Sequence, residues 1–380
     1  MKRPWWWFWT FSLLLGVCSD SSAQSLDSLP TTSDLIAVNP ATNKIYTGNE
    51  TLHYVTVIDG ATNESTKIDV GGLPEQIVVN PVTNKIYVGL LALISARSVT
   101  VIDGATNQTT KVIVGASPYA LAVNTVTNQV YVANYYGGKI TVIDGATNRT
   151  RAILTGLNPT YLAVNPVTNK IYAANWERAE ITVIDGSTDA TIKVPIKGES
   201  KDHSIAVNTL TNKIYVSSNT QSRTVTEIDG ATNQTTAILT AGYVSALAVN
   251  PVSNKIYVAN PYNGKLSVID GATDKVTTIA VGLFPTSIAV NSVTNKIYVT
   301  NSAQCQGVTV IDGTTEHMTR IKAGTFVLRV AVNPITNKVY AYDPETVTII
   351  DPATNKTNDV TLSIPSNMER YAAHCNSNQP

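Results

Sequence analysis

One short unit recurs eight times along this chain, and it constrains the fold more than any other feature. The unit is Ala-Val-Asn or Val-Val-Asn, followed four residues later by Asn-Lys-Ile-Tyr or a near variant. Its first asparagine falls at Asn39, Asn80, Asn124, Asn165, Asn208, Asn250, Asn291 and Asn333, a period of 41 to 44 residues. A second landmark, Ile-Asp-Gly, follows each unit, with its acid at Asp59, Asp103, Asp144, Asp185, Asp229, Asp270 and Asp312. In the last copy it reads Ile350-Asp351-Pro352. A fixed period of this size marks a repeat architecture, in which each copy is one supersecondary unit.

Each copy divides into four short apolar or alternating runs. In the fourth they are 160–164, 170–174, 180–184 and 190–195. Asn-Pro-Val-Thr-Asn joins the first to the second, with Pro fixing φ and Asn tolerating the left-handed region. Asp-Gly-Ala-Thr-Asn joins the third to the fourth, where Gly is expected to supply positive φ. No apolar spacing of 3.6 residues persists, which excludes a helical solenoid. Four antiparallel strands every 41 to 44 residues predict an all-β propeller of eight four-stranded blades. Seven blades are the alternative, since the eighth copy is the most divergent. The repeat tyrosines, Tyr46 through Tyr340, are expected to fill the space between sheets, with each hydroxyl reaching a polar partner.

The literal tetrapeptide Tyr298-Val299-Thr300-Asn301, with Tyr131-Val132-Ala133-Asn134 and Tyr257-Val258-Ala259-Asn260 as close variants, resembles the YVTN-repeat β-propeller family. The resemblance spans nearly the whole chain after its first segment. It implies an exported or cell-surface protein with an adhesion or binding role rather than one chemistry.

The N-terminus agrees with export. Lys2 and Arg3 precede an apolar run from Trp5 to Val17, and Ser21-Ser22-Ala23 offers small residues for cleavage. Residues 1–23 are read as a signal peptide, 24–31 as a linker, 32–365 as the propeller and 366–380 as a tail. The run is shorter than the roughly 20 residues of a membrane span, so no span is expected after cleavage. Cys305 and Cys375 are then an even pair in an oxidising compartment, either bridged or left as two thiols.

Lys+Arg and Asp+Glu balance at 27 each, and only 14% of residues are charged. This excludes the basic stripe of a nucleic-acid binder. The four histidines are scattered, and no nucleophile elbow, phosphate loop or zinc spacing appears. The expectation is a non-enzyme with no cofactor. The enzymatic alternative is a lactonase- or lyase-like hydrolytic propeller holding a cation at the channel mouth through Asp34, Glu75 and His203. A lattice or envelope component is the third reading. The Asn-x-Ser/Thr sequons at Asn63, Asn107, Asn148, Asn233 and Asn355 are by-products of the repeated turn.

Comparing the copies with one another separates two ends of the blades. The loops between strands one and two, and three and four, are nearly constant and share one end. The other connections vary and share the opposite end. That variable end is expected to bind a polysaccharide or a surface protein through Tyr119, Tyr135, Tyr136, Tyr161, Trp176, Tyr262 and Phe284. These rings are interleaved with Asn134, Asn175, Asn260 and Asn263. The insert Leu90 to Ile94 is expected to add an apolar patch.

Overall fold

The computed structural model describes residues 35–362, apart from 50–51, 91–96, 157, 177, 198–203, 218–222 and 304–306. The proposed signal peptide, the linker, the tail, and Asp34, His203, Cys305 and Cys375 therefore lie outside the described residues.

Eight four-stranded antiparallel sheets form, each from four strands consecutive in sequence. Eight blades are thus present and the seven-blade alternative falls. In blade four the strands are Pro159–Asn165, Lys170–Asn175, Glu180–Asp185 and Thr191–Pro195. The first strand of every blade packs beside the first strand of the next, and the first strand of blade eight (Arg329–Val332) packs beside that of blade one (Ile36–Asn39). These inner strands surround the axis.

Eight apolar clusters fill the eight spaces between blades. Each takes the repeat tyrosine of one blade and the strand-two isoleucine or valine of the next. Between blades four and five, Tyr172 packs with Ile181, Val183 and Val194 against Ile214, Val216 and Ile228. The cluster that joins blade eight to blade one is built the same way, from Tyr340, Val347 and Ile349 against Ile45 and Ile58. No strand is shared between blades, so packing and side-chain hydrogen bonds close the ring among the described residues.

Those hydrogen bonds form a belt at the constant end. The Asn39 amide nitrogen donates to Asn84 Oδ1 at 2.8 Å, Asn80 to Asn128 at 2.8 Å and Asn124 to Asn169 at 2.8 Å. The series continues through Asn165, Asn208, Asn250 and Asn291 and closes with Asn333 donating to Asn43 at 2.9 Å. The donor is the first asparagine of each unit, which is buried. The acceptor is the second asparagine of the next, held at φ between 51° and 60°. The two asparagines of the motif therefore tie neighbouring copies together. A loop that serves eight such bonds has little freedom to vary.

The Asp-Gly-Ala-Thr-Asn turn corrects the reading of its glycine. The left-handed residue is the last one, Asn148 at φ 58° in blade three, whereas Gly145 is not left-handed. Glycine is required there because a Cβ at Gly145 would lie 2.2 Å from Asn128 Oδ1 and 2.8 Å from its carbonyl oxygen. Blade eight carries Pro352 in this place, and its second strand begins one residue late, at Val339. Asp59 Oδ1 accepts from the Ala61 and Thr62 backbone N–H groups at 2.8 and 3.0 Å. The equivalent acid in every blade is held below the usual carboxylate range. Turn N–H donors are the leading cause at all except Asp270, where the Thr273 hydroxyl leads. Such a lowered group favours the folded state above its unfolded pKa and loses that contribution as pH falls through the folded value. Melting temperature is therefore expected to fall below about pH 4. These acids themselves should contribute no pH dependence between neutrality and mild acidity. A midpoint that holds steady into stronger acid would show that the turns carry no such linkage.

The tyrosine hydroxyls also depart from expectation. Tyr131 donates to Gln129 Oε1 at 2.8 Å, but the hydroxyls of Tyr46, Tyr87, Tyr172 and Tyr298 are buried without a hydrogen-bond partner. Burial pushes each of these four up to about 12. Ring volume, rather than the hydroxyl, earns the residue its place in these four copies.

Candidate functional site

The variable end carries the connections from strand two to strand three and from strand four to the next blade. The structure gathers five of the seven proposed binding aromatics into two clusters there. In blade three, Tyr119 and Tyr135 have ring centroids 5.7 Å apart, and Tyr136 meets Tyr135 edge-on at 4.9 Å. The second cluster spans the loops from blade five to blade seven. Tyr262 meets Tyr243 edge-on at 5.4 Å and Phe284 at 6.4 Å, and the Arg223 guanidinium sits 5.7 Å from the Tyr243 ring. Such tilted and edge-on arrangements are the favoured geometries of aromatic pairs. Tyr136, Tyr262 and Phe284 are 41%, 58% and 40% exposed, so each cluster keeps a ring turned to solvent.

Local backbone explains how the second cluster is presented. Tyr262 lies in a one-turn 3-10 segment, Pro261–Asn263, that ends on Gly264 at φ 64°. Asn263 fastens this turn by donating to the Ala241 carbonyl at 3.1 Å. Phe284 has φ 51°, a left-handed backbone that bulky residues rarely adopt. It is held by Ser302, whose backbone N–H donates to the Phe284 carbonyl at 2.9 Å. Asn158 fills the same place in blade four, with φ 42° and the Trp176 N–H on its carbonyl. A phenylalanine kept where asparagine serves the backbone better is a strained choice of the kind found at functional positions.

The other proposed residues stand outside these two ring clusters. Tyr161 is half-buried and packs against the core between blades four and five. Trp176 is half-buried, and its ring meets no other aromatic ring among the described residues. Asn134, Asn175 and Asn260 are fully buried and serve the fold instead of a ligand. Asn134 and Asn175 donate to the strand-three hydroxyls of Thr141 and Thr182, each at 2.9 Å, and Asn260 accepts from Ser267 at 2.7 Å. Asn301, the last residue of the literal tetrapeptide, does the same with Thr309 at 2.9 Å. Leu90 is buried in the core between blades one and two, so it opens no surface patch, and 91–94 lie outside the described residues. Tyr243 and Arg223 escaped the sequence reading because their positions fall in loops of irregular length, where only the fold shows which rings meet.

Of the proposed cation ligands only Glu75 is described; it is half-buried at the start of an inner strand and already engaged. His53 and His317 are both exposed, and His317 closes a turn at the constant end, where its carbonyl accepts from the Asp312 N–H at 2.9 Å. No group of three metal-ligating side chains forms among the described residues. No helix among them is long and apolar enough to cross a membrane.

No family model matches the chain, and no curated protein matches it. Solved structures do. The chain is similar to the dihydro-heme d1 dehydrogenase NirN in complex with DHE, at a TM-score of 0.68 and 17% identity, covering 90% of this chain and 78% of that one. It is also similar to the computationally designed Ika8 protein, at 0.67 and 15%, covering 89% and 98%. A third is hydrazine synthase of Kuenenia stuttgartiensis, at 0.57 and 17%, covering 77% and 96%. The fold is a β-propeller. At these identities the likeness extends to architecture alone.

Proposed function

We infer that this chain is an exported, non-enzymatic propeller of the YVTN type whose variable face binds a polysaccharide. The observation that carries the reading is the pair of solvent-facing aromatic clusters, centred on Tyr136 and on Tyr262. A pyranose presents an apolar C–H face that lies against an aromatic ring, and hydroxyls at its edge that seek neutral hydrogen-bonding groups. The clusters supply the rings, and their phenol groups supply polar edges. Blades three and six stand three positions apart around the ring of eight. One extended polymer that touches both gains avidity without any new contact, because the second encounter is intramolecular.

Tyr136→Ala and Tyr262→Ala are each expected to weaken binding about tenfold or more, as loss of an aromatic anchor does. Calorimetry or a glycan array checks this, and equal affinities for both variants and the parent would sink the proposal. Phe284→Asn separates ligand contact from folding. Asparagine is tolerated at the matching place in blade four, so stability should stay within about 1 kcal/mol of the parent while binding drops. If binding survives that change, Phe284 is no part of the site.

A further inference from the structure

The constant end bears a crown of exposed aliphatic side chains that folding by itself does not require. The first belt asparagine of each blade does two things at once. Its amide nitrogen reaches the next blade, and its Oδ1 accepts the N–H of the residue two places on, at 3.0 to 3.2 Å. This Asx-type bond holds the turn so that the third residue of Asn-Pro-Val-Thr-Asn stands outward. That residue is Val, Leu or Ile in seven blades, from Val82 to Ile335, and each is 69–73% exposed. Only blade one differs, with exposed Ala41. The turns follow the inner strands, so the seven side chains form one annulus around the axis.

We propose that this crown docks on the crown of a second copy of the chain. Three observations select that partner. First, the area suffices: seven aliphatic side chains presenting on the order of 100 Å² each approach the roughly 800 Å² per partner of a standard specific interface. A monomeric surface seldom keeps so large an apolar patch in one place. Second, the crown is uncharged. None of the eight turns, 40–43 through 334–337, contains a Lys, Arg, Asp or Glu, so two crowns meet without repulsion. The lysines that follow the turns, Lys44 and Lys85 among them, are half-buried and donate to the Gly104 and Gly145 carbonyls of the neighbouring blade, and no Trp or Tyr stands among the turns to anchor at a lipid interface. Third, a near-eightfold annulus is its own complement. A two-fold axis perpendicular to the propeller axis places valine rows against valine rows, the closed isologous geometry of most dimers.

Sedimentation of the full chain at micromolar concentration is expected to show a dimer. Val126→Glu, Val167→Glu and Val252→Glu combined should yield a monomer, with association weakened about a hundredfold or more because each unpaired charge would be desolvated. Since these side chains are exposed in one copy, the combined variant should melt where the parent melts once diluted to monomer. Glycan binding at the opposite end should also persist, so this result stands apart from the functional reading above. A monomeric parent would overturn the proposal, as would a dimer that survives all three substitutions. So would a monomeric parent that sediments with phosphatidylcholine vesicles and loses that binding in the combined variant; the crown would then be a lipid surface.

Discussion

Tyr172→Ala is expected to destabilise the propeller by about 3–5 kcal/mol, the range for removing a large ring from a packed core. Tyr172→Phe is expected to leave stability unchanged or to raise it by up to about 1 kcal/mol. The two outcomes follow from one site. The ring is fully buried between blades four and five and touches both sheets, so truncation opens a cavity that strand pairing prevents from collapsing. The hydroxyl has no hydrogen-bond partner, and burial followed by the Asp229 charge pushes it up to about 12. It has given up hydration without protein compensation, so its removal costs little. Denaturant unfolding of the pair checks this. A Phe variant that loses as much stability as the Ala variant would mean the hydroxyl does bond in the folded protein.

Asn165→Ala is expected to cost about 2–3 kcal/mol, the sum to be expected when buried hydrogen-bonding groups lose their partner. Asn165 donates to Asn212 Oδ1 at 2.9 Å and accepts from the Val167 and Thr168 N–H groups at 3.1 and 3.4 Å. Asn165→Asp is nearly the same shape yet should be at least as damaging at neutral pH. A carboxylate has no hydrogen to give to Asn212 and faces its amide oxygen in a buried place. An Asp variant as stable as the parent would refute the direction assigned to the belt. Because no strand is shared between blades among the described residues, Asn333→Ala at the junction of blades eight and one should cost as much as Asn165→Ala. It breaks the matching bond to Asn43.

The blade count, the four strands and the tyrosine packing were all legible in the sequence, since a near-constant period leaves few ways to bury the same face eight times. The belt was visible only in part. The motif shows two asparagines four residues apart, Asn165 and Asn169, but not that one donates forward, to Asn212, while the other accepts from Asn124 behind it. That pairing spans blades and has no local signature. The ring clusters were half legible: Tyr136, Tyr262 and Phe284 were singled out in the sequence, whereas Tyr243 and Arg223, which meet them in the structure, carried no sequence signal. Asn134 and Asn260 were mistaken for ligand contacts because an asparagine at a strand end looks the same whether its amide faces solvent or a strand-three hydroxyl. The crown was present as a repeated valine at the tip of a turn, where polar residues are usual. Its meaning needed the burial of its neighbours and the exposure of the valine itself.

The sequence by itself determined that eight equal units of four strands must stack side by side, because periodicity and turn chemistry are local properties written into every copy. The tertiary structure decided what the copies do to one another. It showed that no strand is shared between blades among the described residues, that the constant turns are bonded blade to blade, and that the two ends differ in chemistry. Those facts depend on residues some 45 positions apart meeting across a blade boundary, and no local pattern records a distance of that kind.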